Sequence, residues 1–182
     1  PPWAPDPSRA GRMINARSES AARAPAYRSA LRSRRLVVPA DGFFEWRTGP
    51  DGRRRPLLFE RADGAPLHFA GLWERWWPEG RGGPSVRTLT IMTTAANPDM
   101  DGVHDRMPVV LEGDGLDDWL DDGPLGPPDL GRLLCPAPQG TLRHRPVDPR
   151  VGDVRNDFPE LISPFDESGA GDEGRPEVLR LF

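Results

Sequence analysis

The sequence predicts an α+β fold, mainly antiparallel β, with a barrel-like core flanked by short helices. Two observations carry this expectation. Short β-type runs recur at residues 36–38, 43–47, 57–61, 67–73, 88–94, 107–111 and 141–147, separated by Gly, Pro and Asp turn signals. Helical signals are few and brief, so runs of strands with occasional short helices argue for α+β. A chain of 182 residues without internal repeats fits one domain with one sizeable core.

The elements follow in order. Pro1 to Pro7 is Pro-rich and irregular, with Trp3 its only large side chain. Residues 18–24 and 25–34 read as two short helices, the first capped by Ser18 and the second opened by Pro25. Leu36-Val37-Val38 begins a buried strand, and Asp41-Gly42 marks a turn before residues 43–47. Residues 57–61 return as a hairpin partner across a Gly/Arg loop. Ala62-Asp63-Gly64 turns into the strand at 67–73, and a Gly/Pro loop precedes the strand at 88–94. Asn97-Pro98 breaks that strand before the next at 107–111. Short acidic helices are expected at 116–120 and 129–134, and 141–147 is the last strand. Residues 1–165 therefore form the predicted domain, and 166–182 a polar, acidic tail whose composition is that of disorder.

Composition narrows the function. No apolar run reaches the length of a membrane span, so no membrane partner is expected. The single cysteine, Cys135, excludes an internal disulfide and fits a reducing cytoplasm. Between Leu134 and Pro136 it reads as a buried structural thiol. All 24 basic residues are Arg, so no lysine amine is available for a Schiff base. Residues 1–61 carry a net +7 and residues 62–182 a net −11. The basic first third fits phosphate contacts by guanidinium, although solvated surface Arg would give the same count. His68, His104 and His144 lack metal-ligand spacing, and the acidic run 114–122 lacks the order of a calcium loop; neither a metal nor another cofactor is expected.

Three islands hold the chemically capable groups: Met13-Ile14-Asn15-Ala16-Arg17-Ser18-Glu19, Pro39-Ala40-Asp41-Gly42-Phe43-Phe44-Glu45-Trp46, and Val103-His104-Asp105-Arg106-Met107-Pro108-Val109. In a strand, Phe44 and Trp46 share one face and Glu45 the other with Phe43. Aromatic neighbours would raise the Glu45 pKa and suit acid–base work; the commoner outcome of such alternation is an exposed strand glutamate. His104 fits a proton carrier, although without context a lone histidine is more often a surface or hydrogen-bonded residue. Asn15 and Arg17, if extended, face one side and could meet a sugar and its phosphate, or simply cap the next helix.

Taken together and in order, the islands closely resemble the SOS-response-associated peptidase family of abasic-site-processing proteins. The resemblance runs from Pro1 to about Phe165 and includes the closing Pro146-Val147 and Val151-Gly152-Asp153-Val154-Arg155-Asn156. It implies a catalytic set of Asn15, Glu45 and His104, and DNA contacts from Trp3, Arg17, Trp46 and Arg106. Trp3 matches an aromatic wedge stacking on bases beside the lesion. The implied partner is single-stranded DNA with abasic sites, met by a monomer in the cytoplasm at the nucleoid. The implied activity is a thiazolidine crosslink between an N-terminal cysteine and the abasic aldehyde, with lyase activity and peptidase removal of the protein's own N-terminal residue. That cysteine belongs to an upstream segment beginning Cys-Gly, so a truncated gene model or fragment is expected here. The alternative is a non-catalytic single-stranded-DNA-binding module that has lost its nucleophile; a Glu/His hydrolase of small substrates is a third reading.

Overall fold

The computed structural model describes residues 1, 3–4, 11, 13–79 and 82–166. The acidic tail expected at 166–182 thus lies, apart from Asp166, outside the described residues. The chain divides into two compact units, one of Pro1–Ala40, His68–Ala95 and Arg106–Ala137, the other of Asp41–Leu67, Ala96–Asp105 and Pro138–Phe182. No described helix is long and apolar enough to cross a membrane.

The first unit holds a five-stranded sheet: β1 (Asn15–Arg17), β2 (Arg35–Ala40), β5 (Leu67–Trp76), β6 (Val86–Ala95) and β7 (Arg106–Pro108). Its order is β1-β6-β5-β2, with β7 also on β6. The β5–β6 pairing is antiparallel from Gly71↔Ile91 to Trp76↔Val86. Beyond it the two strands splay, and the chain after β7 fills the wedge. There the Val109 amide donates to Met92 O and the Ala70 amide to Val109 O, each at 2.9 Å. Residues expected to extend this strand to 111 therefore bridge rather than form a ladder, with Phe69 opposite Val110.

Four helices, α1 (Ser18–Ala21), α2 (Arg28–Ser33), α3 (Asp114–Leu120) and α4 (Pro127–Leu133), supply the rest of this unit. Alternation puts Ala16, Leu72 and Met92 on one sheet face, where they join Ala30, Leu31, Trp119 and Leu133 in a core. Trp119 is fully buried, and its indole N–H donates to Leu36 O at 2.9 Å. Arg35 staples the helix ends. Its guanidinium donates to Leu31 O and Arg32 O at 3.0 and 3.1 Å, to Trp119 O at 2.7 Å, to Gly123 O at 2.9 Å, and to Asp121 O. The carbonyls that end two helices are orphan acceptors, and a fork of five donors satisfies them from one side chain.

The second unit holds an antiparallel three-stranded sheet in the order β3 (Gly42–Thr48), β4 (Arg54–Arg61), β8 (Leu142–Pro146). Short 3₁₀ turns at Pro98–Met100, Pro149–Gly152 and Pro159–Ile162 complete it.

The α+β class with short helices is as expected, but five details differ. The described strands form two sheets rather than one closed barrel. The β1–β6 pair is parallel rather than antiparallel. Ser18 is the first helical residue of α1; Arg17 occupies the cap position, with no side-chain capping bond. Pro25 lies ahead of α2, since Ala24 O accepts from the Tyr27 and Arg28 amides and delays the helix to Arg28. Cys135 is exposed: α4 buries Leu133 and Leu134, and the next residue turns outward, its thiol donating to Arg132 O at 3.1 Å.

The Arg35 staple yields a stability test. Arg35→Ala should cost roughly 2–3 kcal/mol, because it strips charged donors from several carbonyls at once. Arg35→Lys should recover less than half of that, since an ammonium cannot fork. Urea denaturation of the three proteins gives the answer.

Candidate functional site

The second unit holds the carboxylate and the imidazole. Glu45 sits in mid-β3 with Leu57 of β4 as its cross-strand partner. Its sheet face carries the stack of Phe43 on Phe59, at 5.2 Å between centroids, and His144 beyond them. Leu57 and Phe59 are fully buried, and Glu45 itself is 4% exposed. Of the two readings left open for this residue, its burial decides: it is a buried carboxylate. Burial among apolar side chains raises its pKa above the ordinary carboxylate value, and the His104 imidazole opposes that rise most. The Trp46 amide, donating to the carboxylate, and Arg54 oppose it more weakly, whereas Asp105 adds to it. Trp46, on the opposite face, lies under the Arg54 guanidinium at 5.8 Å.

A built turn presents His104. Asn97 accepts the Asp99 amide at 3.1 Å and so caps the 3₁₀ turn at Pro98–Met100. Gly102 follows at φ 72°, a left-handed conformation that glycine adopts without strain. The amides of Val103 and His104 then return to Met100 O. The Asp99 carboxylate fixes this loop to the start of β8, accepting from the Gly140 and Leu142 amides at 2.8–3.0 Å. Asn97 also donates to Pro138 O at 3.1 Å. The His104 ring is half-buried, with Nδ1 3.3 Å from an Asp105 carboxylate oxygen. Sequence reasoning missed Asp99 and Asn97, although Asn-Pro-Asp is itself a cap signal.

The first unit holds the amide and the guanidiniums. Asn15, Ala16 and Arg17 pair with Ile91, Met92 and Thr93 of β6. Asn15 and Arg17 are therefore extended and share the sheet face opposite the buried Ala16. Tyr27 donates its hydroxyl to Asn15 O at 3.2 Å. Arg17 is exposed. Arg106, in β7 opposite Ala95, is mostly buried and forks onto Glu19: Nη1 to Oε1 at 2.7 Å and Nη2 to Oε2 at 3.0 Å. Nη2 also donates to Thr93 O at 2.7 Å. This pairing holds the Glu19 carboxyl below its ordinary pKa. Glu19 is a functional neighbour that sequence reasoning quoted but left without a role.

Trp3 is 62% exposed. The arginine-rich first third is only partly available for phosphate. Arg34 pairs with Glu74, Arg55 with Asp51 and Arg61 with Asp63, while Arg35 is the helix staple. Asn15, Arg17 and Arg106 thus belong to one unit, and Glu45, His104 and Trp46 to the other.

Known proteins are similar to this chain in sequence and fold. The family model for SOS response associated peptidase (SRAP) covers residues 1–154. The abasic site processing protein YoqW of Bacillus subtilis is 37% identical over 163 residues, spanning 89% of this chain and 71% of that protein. The abasic site processing protein HMCES of Gallus gallus is 31% identical over 181 residues, spanning 88% and 53%. A crystal structure of a protein from Bacteroides thetaiotaomicron shares the fold, with a TM-score of 0.79 at 24% identity over 91% of this chain and 73% of that one. On the extent of the family match and of the YoqW alignment, the chain belongs to the SOS response associated peptidase family.

Proposed function

We propose that this protein processes abasic sites in single-stranded DNA, with Glu45 as its general acid–base. The observation that carries the reading is the burial of Glu45 within electrostatic reach of the His104 imidazole, in a chain whose relatives are named abasic site processing proteins. A carboxyl held above its usual pKa keeps its proton nearer neutrality and can give it to a sugar ring oxygen. When the C1′ hydroxyl loses its own proton, the ring opens to an aldehyde. An N-terminal cysteine, the reagent implied by the family resemblance, then condenses through its amine with loss of water, and its thiol closes the thiazolidine. Glu45 and His104 carry the protons in both directions, including those needed for peptidase removal of the N-terminal residue. Asn15 and Arg17 hold the sugar and phosphate, with Trp3 and Trp46 as stacking surfaces. Cys135 has no free α-amine beside its thiol and plays no part.

Arg106 enters this scheme through Glu19. A phosphate that takes the Arg106 fork displaces the Glu19 carboxylate, whose side chain is 55% exposed, while Thr93 O keeps the guanidinium in place. Glu19 is therefore a competitor for the phosphate.

Three outcomes follow from this scheme. In a chain carrying Cys-Gly at its start, Glu45→Gln should slow single-turnover crosslinking at saturating abasic strand by about 10²–10⁴-fold and leave affinity nearly unchanged. An unaltered rate would reduce Glu45 to an ordinary strand residue. The same substitution should stabilise the fold at neutral pH. Below the unfolded pKa of about 4.3 both states of Glu45 are protonated, and its burial carries no ionic cost. As pH rises, the unfolded chain loses this proton first, so stability falls until the raised folded pKa is passed. Melting temperatures of the two proteins should coincide in acid and diverge towards pH 7, with Glu45→Gln the higher. Finally, Glu19→Gln should tighten single-strand binding several-fold and steepen its salt dependence, whereas a structural ion pair would leave the salt slope unaltered.

A further inference from the structure

The face of the first unit's sheet that bears Asn15 and Arg17 continues along β6 to a second cationic cluster. Alternation from Thr93 places Leu89 and Arg87 on that face, and the ladder sets them opposite Trp73 and Arg75 of β5. Arg75 and Arg87 are direct cross-strand partners. Like charges in that position destabilise a sheet, and among the described residues neither makes an ion pair with an acid. Arg87 is exposed, and Leu89 is 52% exposed beside the half-buried Trp73. The opposite face of this sheet is the helix-covered core. Two guanidiniums beside an exposed aliphatic and an aromatic surface match a phosphodiester backbone and its bases.

We propose that Arg75, Arg87, Leu89 and Trp73 form a platform for the single strand flanking the lesion, continuous with Arg17 along one sheet face. The proposal rests on the single-strand reading above and deepens it. Thr93, the partner of Arg17, and Arg87 are six residues apart on β6, or about 20 Å at the rise of a strand. That is the span of a few nucleotides, so a short abasic strand would fill the Arg17 end alone and a longer one would reach the platform. The two arginines bind phosphates, and Leu89 with Trp73 supplies a surface that accepts any base.

The test is fluorescence anisotropy with a short and a long abasic single strand over a range of salt. Arg75→Gln/Arg87→Gln should weaken the long strand on the order of tenfold and make its salt slope shallower by about 1.4, as two phosphate contacts on a single strand require. Arg87→Gln alone should give about half that change in slope. The control is Arg28→Gln/Arg32→Gln, the same change of net charge on α2, whose Ala30 and Leu31 pack on the opposite face; its loss should be under threefold. Equal losses in the two double variants, or an unaltered long-strand slope, would overturn the platform and leave the single-strand reading standing. If the unaltered chain binds neither strand, both fall.

Discussion

A carboxylate with 4% of its surface exposed is the costliest feature of this protein, and much of the second unit is arranged around it. Nothing in packing requires Glu45. Around it on that sheet face stand Phe43 of β3 and Leu57 and Phe59 of β4, and an aliphatic side chain there would stabilise the sheet. The carboxylate is retained against that gradient, with its pKa raised by burial and only partly restored by the His104 imidazole. A group held in the less favoured of two environments is ready to exchange a proton, and pKa values displaced in this manner cluster at functional sites.

The imidazole depends on a loop that has no regular structure to hold it. Its geometry comes from backbone satisfaction instead. Asn97 caps, Asp99 gathers two amides from the start of β8, and Gly102 takes the left-handed turn. Fully buried Met100 anchors the middle. Asp99 therefore matters at a distance from any proton transfer: without its carboxylate, the Gly140 and Leu142 amides lose an acceptor and the loop loses its register. This is a constraint on position, imposed through hydrogen bonds that the three motif islands do not include.

That distinction explains how much was legible in the sequence. Alternation in Phe43-Phe44-Glu45-Trp46 assigned Glu45 to the same face as Phe43, and the structure places it there. The extended reading of Asn15 and Arg17 also held, because a three-residue strand on β6 gives them one face. What alternation cannot reveal is which face is buried, so on pattern alone the exposed strand glutamate is the commoner outcome, and the structure gives the buried one. Cys135 departs for a related reason: only the flanking Leu134 is buried, and the helix end turns both Cys135 and Pro136 outward. The partners Glu19 and Arg106 are 87 residues apart, and no local periodicity links them.

The absence of lysine gives one side-chain type two opposed duties. Arg35 uses its planar fork as a rigid connector, spending its donors on helix-terminal carbonyls. Arg106 commits its fork to a carboxylate and a backbone oxygen. Arg17, which acts on the Glu19 carboxyl only through space, projects from the same sheet face as Arg75 and Arg87, and the last two oppose each other directly. The same guanidinium is thus structural where carbonyls or carboxylates converge on it. Where none do, it is a site for anions, and the local supply of acceptors decides which. Counting arginines in the first third of the chain therefore overstated its capacity for phosphate. The ladder partners of β6 locate that capacity better, because they show which charges the fold has left for something else to neutralise.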